Sequence, residues 1–142
     1  MILSNTEIQR AIDDGRLRID PEPLPRNVDD PSCPYNTTAV DLHLGNSISI
    51  PHSGPFTYDL RQQGIATFLS HNCTHLELPT GGYVLEPRLF VLGKTLERVS
   101  LPIRQGQTLA ARIEGKSSFA RCGLLVHFTA PTVHAGFEGT LT

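Results

Sequence analysis

The apolar positions of the chain open on a helical period and then change to a β alternation. Ser4 is followed three residues later by Glu7, a capping-box spacing, and Ile8, Ala11 and Ile12 then recur on one helical face until Gly15 stops the run. This predicts a short N-terminal helix. Prolines at 21, 23, 25, 31 and 34 deny the next stretch regular hydrogen bonding, so an ordered but irregular loop is expected there. Val40, Leu42 and Leu44 alternate with Asp41 and His43, which predicts a half-buried strand, and Gly45-Asn46 offers a tight turn into a second strand over 47–50. Between 51 and 82 the pattern loses any clear period. Gly54, Pro55, Gly64, Pro79, Gly81 and Gly82 punctuate it, and apolar pieces are confined to 65–69 and 76–78. Short β-like runs then follow at 83–85, 89–92, 96–99, 108–113, 124–128 and 132–133, separated by Gly, Pro or charged residues. Short strands at such spacing predict an all-β barrel or sandwich. No internal repeat or heptad pattern is present.

Composition narrows the picture. A length of 142 residues suits one domain, 1–142. Lys and Arg total 12 against 14 Asp and Glu, a formal charge of −2, so no basic surplus exists to hold a nucleic acid polymer. No apolar stretch approaches the ~20 residues that cross a bilayer, and the start Met1-Ile2-Leu3-Ser4 lacks the basic and apolar regions of a secretory leader. A cytoplasmic chain with no membrane partner is therefore expected. Cys33, Cys73 and Cys122 are odd in number and widely spaced, so reduced structural thiols are expected, and Cys122 is read as inert rather than nucleophilic.

The densest polar cluster is Arg112-Ile113-Glu114-Gly115-Lys116-Ser117-Ser118-Phe119-Ala120-Arg121. Gly115 would let the backbone approach a ligand, Lys116 and Arg121 supply positive charge, and Ser117 and Ser118 supply hydroxyl donors, a combination suited to phosphate oxygens. It is not a Walker loop, because Ala110 stands where that motif needs its first glycine. Other chemistry weighs less. His71, Cys73 and His75 alternate, and on a strand would share a face able to approach Zn²⁺, but a fourth ligand is missing nearby and an incidental polar loop is the preferred reading. Asp41 is expected to tie down backbone amides rather than act as an acid. Arg112 and Glu114 are read as an interface pair or a solvated face.

The stretch from Arg121 through Cys122-Gly123-Leu124-Leu125-Val126-His127-Phe128-Thr129-Ala130 to Val133-His134-Ala135-Gly136-Phe137-Glu138-Gly139 resembles the signature of the dCTP deaminases, a branch of the dUTPase-like β-barrel superfamily. Earlier blocks agree, in order: Ile2-Leu3-Ser4 with Glu7-Ile8 and Gly15-Arg16-Leu17, then Val40-Asp41-Leu42-His43-Leu44-Gly45, then Leu85-Glu86-Pro87 with Leu92-Gly93-Lys94-Thr95-Leu96-Glu97. Only about 51–82 carries no landmark. The resemblance implies a distorted β-barrel of the dUTPase-like (β-clip) type with a short N-terminal helix and irregular Pro-rich loops. It also implies a zinc-independent hydrolase of a cyclic amidine, converting dCTP to dUTP and ammonia, with Mg²⁺ bound through the triphosphate and dTTP as a possible inhibitor. A homotrimer with active sites shared between subunits is implied as well.

Carried over residue by residue, Lys116 stands where the family usually has a phosphate-binding Arg, keeping the charge but losing the bidentate fork. Ser117 and Ser118 match the serines that handle the phosphates, and Ser117 also the attacking water. Arg121 matches the arginine beside the catalytic carboxylate. His127 matches a histidine of structural or regulatory role, Thr129 and Ala130 the reader of the cytosine edge, and Val133 a residue packed near the deoxyribose. His134 stands where an acidic residue is common at the sugar-binding turn that Gly136 and Phe137 complete. The family's general base is a Glu expected two residues past Thr142, so the sequence reads as lacking its C-terminal part, and Glu138, inside the variable turn, is not its substitute. H-x-E and P-C-x-x-C, the marks of zinc deaminases, do not occur. The alternatives are a dUTP pyrophosphatase, a bifunctional enzyme going from dCTP to dUMP, and a nucleotide-binding module without turnover.

Overall fold

The computed structural model describes residues 1–54, 58–59, 61, 64–127 and 129–142. Among them strands predominate over three short helices, and the chain divides into two compact units: residues 1–42 with 97–140, and residues 43–96 with 141–142. The strands lie in sheets of three, three and two strands, with no closed barrel among the described residues.

The first unit begins with α1 (Asn5–Asp13). Ser4 caps it, its hydroxyl accepting from the Glu7 amide at 3.3 Å, and Ile8 and Ala11 are buried, as the capping box and apolar spacing predict. Gly15 follows with φ +68°, a left-handed turn that a side chain would strain. The chain then enters β1 (Arg18–Asp20), which pairs antiparallel with β5 (Arg98–Ser100), itself paired with β8 (Glu138–Thr140). Ile19 opposite Val99, together with Leu17, Tyr35, Leu101 and Val133, forms the buried core with the α1 face.

The Pro-rich segment is irregular, as expected, and side chains hold it. Arg26 donates to Glu22 at 2.5 Å and to Asp13 at 2.6 Å, which fixes its guanidinium in the charged form. Turn bonds run from Asp30 N–H to the Asn27 carbonyl and from Cys33 N–H to the Asp30 carbonyl. The Ser32 hydroxyl and amide both donate to Asp30, which holds that carboxyl below its ordinary range. Tyr35 forms an isolated bridge with Val40.

The second unit is built on β2 (Leu44–Pro51), flanked antiparallel by β3 (Cys73–Glu77) and β4 (Leu92–Thr95), with α2 (Ile65–Asn72) leading into β3. Among the described residues, Ile48 and Cys73 are its buried apolar side chains.

Several sequence expectations are corrected here. The strand over 40–44 does not form, and Gly45-Asn46 is not a turn: both residues lie inside β2, where the β2–β4 register shifts between Leu44 and Ile48. A Cβ on Gly45 would stand 3.0 Å from the Lys94 carbonyl oxygen, so this glycine serves a bulge with close backbone approach. Residues 83–85 and 124–127 carry no strand. They find no pairing edge, and Leu85, Leu124, Leu125 and Val126 are exposed. The run over 108–113 shrinks to β6 (Ala111–Arg112), which pairs with β7 (Thr132–Val133). Phe128, at the end of the expected strand, lies outside the described residues. Conversely, β1 and β8 had no signal in the apolar pattern, and the apolar piece at 65–69 falls in α2 although it showed no helical period. His71 belongs to α2 while Cys73 and His75 belong to β3, so the three do not share a strand face.

Candidate functional site

All the residues singled out for nucleotide chemistry belong to the first unit, between 111 and 140. The two-residue ladder of β6 and β7 sets Ala111 opposite Val133 and Arg112 opposite Thr132, and Ile113 N–H continues it to the Pro131 carbonyl at 2.8 Å. Sequence-distant residues 113–116 and 129–131 thereby leave the ladder at the same end. Gly115 then closes on Val126: a Cβ there would lie 3.1 Å from the Val126 Cβ and 3.2 Å from its Cγ2. The open approach expected at Gly115 is thus taken by Val126 rather than left to a ligand. The missing side chain instead joins the loop before the serines to the loop before Thr129.

Beyond Gly115 the polar cluster forms a single helical turn, α3 (Ser117–Arg121). Lys116 is its N-cap residue, and its carbonyl accepts from Phe119 N–H and Ala120 N–H at 3.0 Å each. Ser117 and Ser118 open the turn and Arg121 closes it, all three exposed. The chain leaves through Gly123, φ +88°, with Leu124 N–H bonded back to the Phe119 carbonyl. His127 adopts φ +51°, unusual for a side-chain-bearing residue, just before the Thr129-Ala130 stretch.

The Lys116 ammonium donates to Asp41 Oδ2 at 2.6 Å. Among the described residues no backbone amide donates to the Asp41 carboxylate, so the expected clamp is not seen; its partner is the Lys116 ammonium. Nothing local in sequence relates positions 41 and 116, so only the fold reveals the pair. Arg112 and Glu114 pair at 3.1 Å on an open surface, in keeping with a solvated face, although Glu114 falls beyond β6.

The turn holding His134, Gly136 and Phe137 is anchored on the other side of β7. Phe137 N–H reaches the His134 carbonyl at 3.2 Å, Gly136 N–H the Leu101 carbonyl at 2.7 Å, and Leu101 N–H the Phe137 carbonyl at 2.9 Å. Gly136 has φ +86°, and a Cβ there would meet Ile103 Cδ1 at 3.2 Å, so both conformation and space favour glycine. Val133, in the ladder, is buried, whereas His134 is exposed. Glu138 sits in β8, exposed and 3.9 Å from Arg98. Among the described residues, no three His, Cys, Asp or Glu side chains converge to hold a metal ion. No helix among them is long and apolar enough to cross a membrane.

Hydroxyls and cations thus lie on one short turn, tied through the two-strand ladder to the hydroxyl-bearing 129–131 stretch and to a glycine-fixed turn. Residues 2–142 match the family model described as dCTP deaminase-like. The chain belongs to that family. It is 36% identical over 144 residues to a "dCTP deaminase, dUMP-forming" of Dictyoglomus thermophilum, covering all of this chain and 67% of that protein. It is 35% identical over 146 residues to a "dCTP deaminase" of Rhodospirillum rubrum, covering 69% of that protein. It is also 38% identical over 145 residues to a "dCTP deaminase, dUMP-forming" of Mycolicibacterium vanbaalenii, covering 67% of it.

Proposed function

We propose that this chain carries the nucleotide site of a zinc-independent dCTP deaminase of the dUTPase-like, β-clip type, working in the cytoplasm. The observation that carries this reading is the family match across 2–142, which includes every residue of the site just described. In this reading Mg²⁺ enters on the triphosphate as part of the substrate. Lys116, Ser117 and Ser118 receive the phosphates, with the ammonium as a point charge and the hydroxyls as donors that rotate to suit. Thr129 and Ala130 read the base edge, and the turn of His134, Gly136 and Phe137, with Val133 beneath it, holds the deoxyribose.

The reaction adds water across C4. The water oxygen bonds to C4 and the C4–N4 bond breaks. One water hydrogen leaves with the amine as ammonia and the other ends on the ring nitrogen, giving dUTP. Ser117 orients the water, and Arg121 offers a fixed positive charge beside the proton-shuttling carboxylate. That carboxylate is not Glu138, which faces Arg98 in β8. Positioned acid–base transfer of this kind is worth ~10²–10⁴ in rate.

In this reading a homotrimer completes each site with a neighbouring subunit, and the exposed apolar residues Phe119, Leu124, Leu125 and Val126 support an intermolecular contact on this face. A dTTP inhibitor would share the phosphate and sugar contacts. The names of the Dictyoglomus and Mycolicibacterium relatives favour a second reading, in which the dUTP formed is hydrolysed further to dUMP. Incubating the full-length protein with dCTP and Mg²⁺ tests both. Ammonia with dUTP supports deamination alone, and ammonia with dUMP and pyrophosphate supports the bifunctional enzyme. Tight dCTP binding without ammonia leaves a binding module and overturns the proposal.

A further inference from the structure

We propose that Asp41 is a positioning residue that pins the Lys116 ammonium for phosphate binding, an inference that rests on the nucleotide reading above and extends it to a residue outside the 112–139 cluster. Both backbones are fixed. Asp41 N–H is bonded to the Pro34 carbonyl at 2.9 Å, one residue past the Tyr35–Val40 bridge, and Lys116 is held as the N-cap of α3 after the Gly115–Val126 contact. The free element is the Lys116 stem, with four carbons and the rotamer entropy that goes with them. The 2.6 Å bond to Asp41 Oδ2 fixes its tip while using one of three ammonium hydrogens, leaving two for phosphate oxygens.

An arginine presents a planar, pre-organised fork and needs no such anchor; a lysine in that place does. The pair is partly exposed, so its carboxylate is well hydrated and its repulsion of an arriving phosphate is screened within ~8 Å at physiological salt. As a stability element such a pair contributes little. Its effect is expected in binding, where one immobilised long side chain changes affinity by about threefold to tenfold.

The test uses Asp41→Asn, Asp41→Glu, Lys116→Arg and the Asp41→Asn/Lys116→Arg double variant of the full-length protein, with dCTP·Mg²⁺ turnover and calorimetric dCTP binding measured alongside wild type. Asp41→Asn is expected to raise KM and Kd about threefold to tenfold with kcat within twofold and an unchanged melting temperature. Asp41→Glu is expected to recover part of the loss. In the Lys116→Arg background, Asp41→Asn is expected to change KM and Kd less than twofold. A lower KM in Asp41→Asn would show a competitor for the lysine, and an equal loss in both backgrounds would show a role independent of Lys116; either overturns the proposal. Wild type that neither binds nor turns over dCTP would overturn the nucleotide reading itself, a distinguishable failure.

Discussion

Tyr35 allows a sharp test of the first unit's packing, because its hydroxyl is buried with no hydrogen-bond partner among the described residues and the residue is only 3% exposed. In the unfolded chain that hydroxyl is bonded to water; on folding it gives up those bonds for none. Mutational data put this desolvation at about 1–3 kcal/mol. Tyr35→Phe removes the hydroxyl and keeps the ring, so it is expected to stabilise the protein by about 1 kcal/mol or more. With a urea m-value of about 2 kcal/mol/M, that moves the denaturation midpoint up by about 0.5 M. Burial, reinforced by the charge of Glu22, also pushes the Tyr35 hydroxyl above its ordinary pKa. The folded state therefore holds this proton more tightly than the unfolded chain, so the associated stability is present below pH ~10 and is lost as pH rises from there toward the folded value. Urea titrations at pH 7.5 and 10.5 should show wild type losing more stability over this interval than Tyr35→Phe. A phenylalanine variant less stable than wild type at pH 7.5, with the same alkaline loss, would refute the reasoning.

Two further outcomes follow from the site's construction. Gly115→Ala drives a methyl to 3.1 Å from the Val126 Cβ, and since Val126 is part-exposed and able to shift, the stability cost should lie near the lower end of the ~1–3 kcal/mol of overpacking while kcat/KM falls at least tenfold; adding Val126→Gly should restore turnover, and an unimpaired single variant would show that the contact does not set the loop. Leu125→Asp alters a residue 68% exposed in the single chain; in the proposed homotrimer it should leave subunit folding intact yet reduce the mass seen by light scattering to that of a monomer and abolish turnover, whereas an unchanged mass with full activity would remove this face from the proposed interface.

The legible parts of the fold were those carried by local chemistry. The Ser4–Glu7 capping box, the Ile8/Ala11 face and the proline spacing of the 21–34 loop each act within a few residues, and each appears in the structure. What failed depended on partners distant in sequence. Gly45 reads as a turn until β4 approaches it, and the alternation at 40–44 yields no strand because Asp41, Leu42 and His43 lie in no ladder, between the Tyr35–Val40 bridge and Leu44 opposite Thr95. At the site, the residue types and order around Lys116, Ser117 and Ser118 were visible as a pattern, whereas the Gly115–Val126 closure and the Asp41 counter-ion arise only when separated segments meet.

The most direct measurement of the central claim is deamination of dCTP by the full-length protein in ¹⁸O-enriched water, with mass analysis of the uracil base. Hydrolytic displacement of the amine predicts one heavy oxygen at C4 for each ammonia released, and loss of both in Ser117→Ala. Recovery of unchanged dCTP, or a uracil base formed without heavy oxygen, would contradict it.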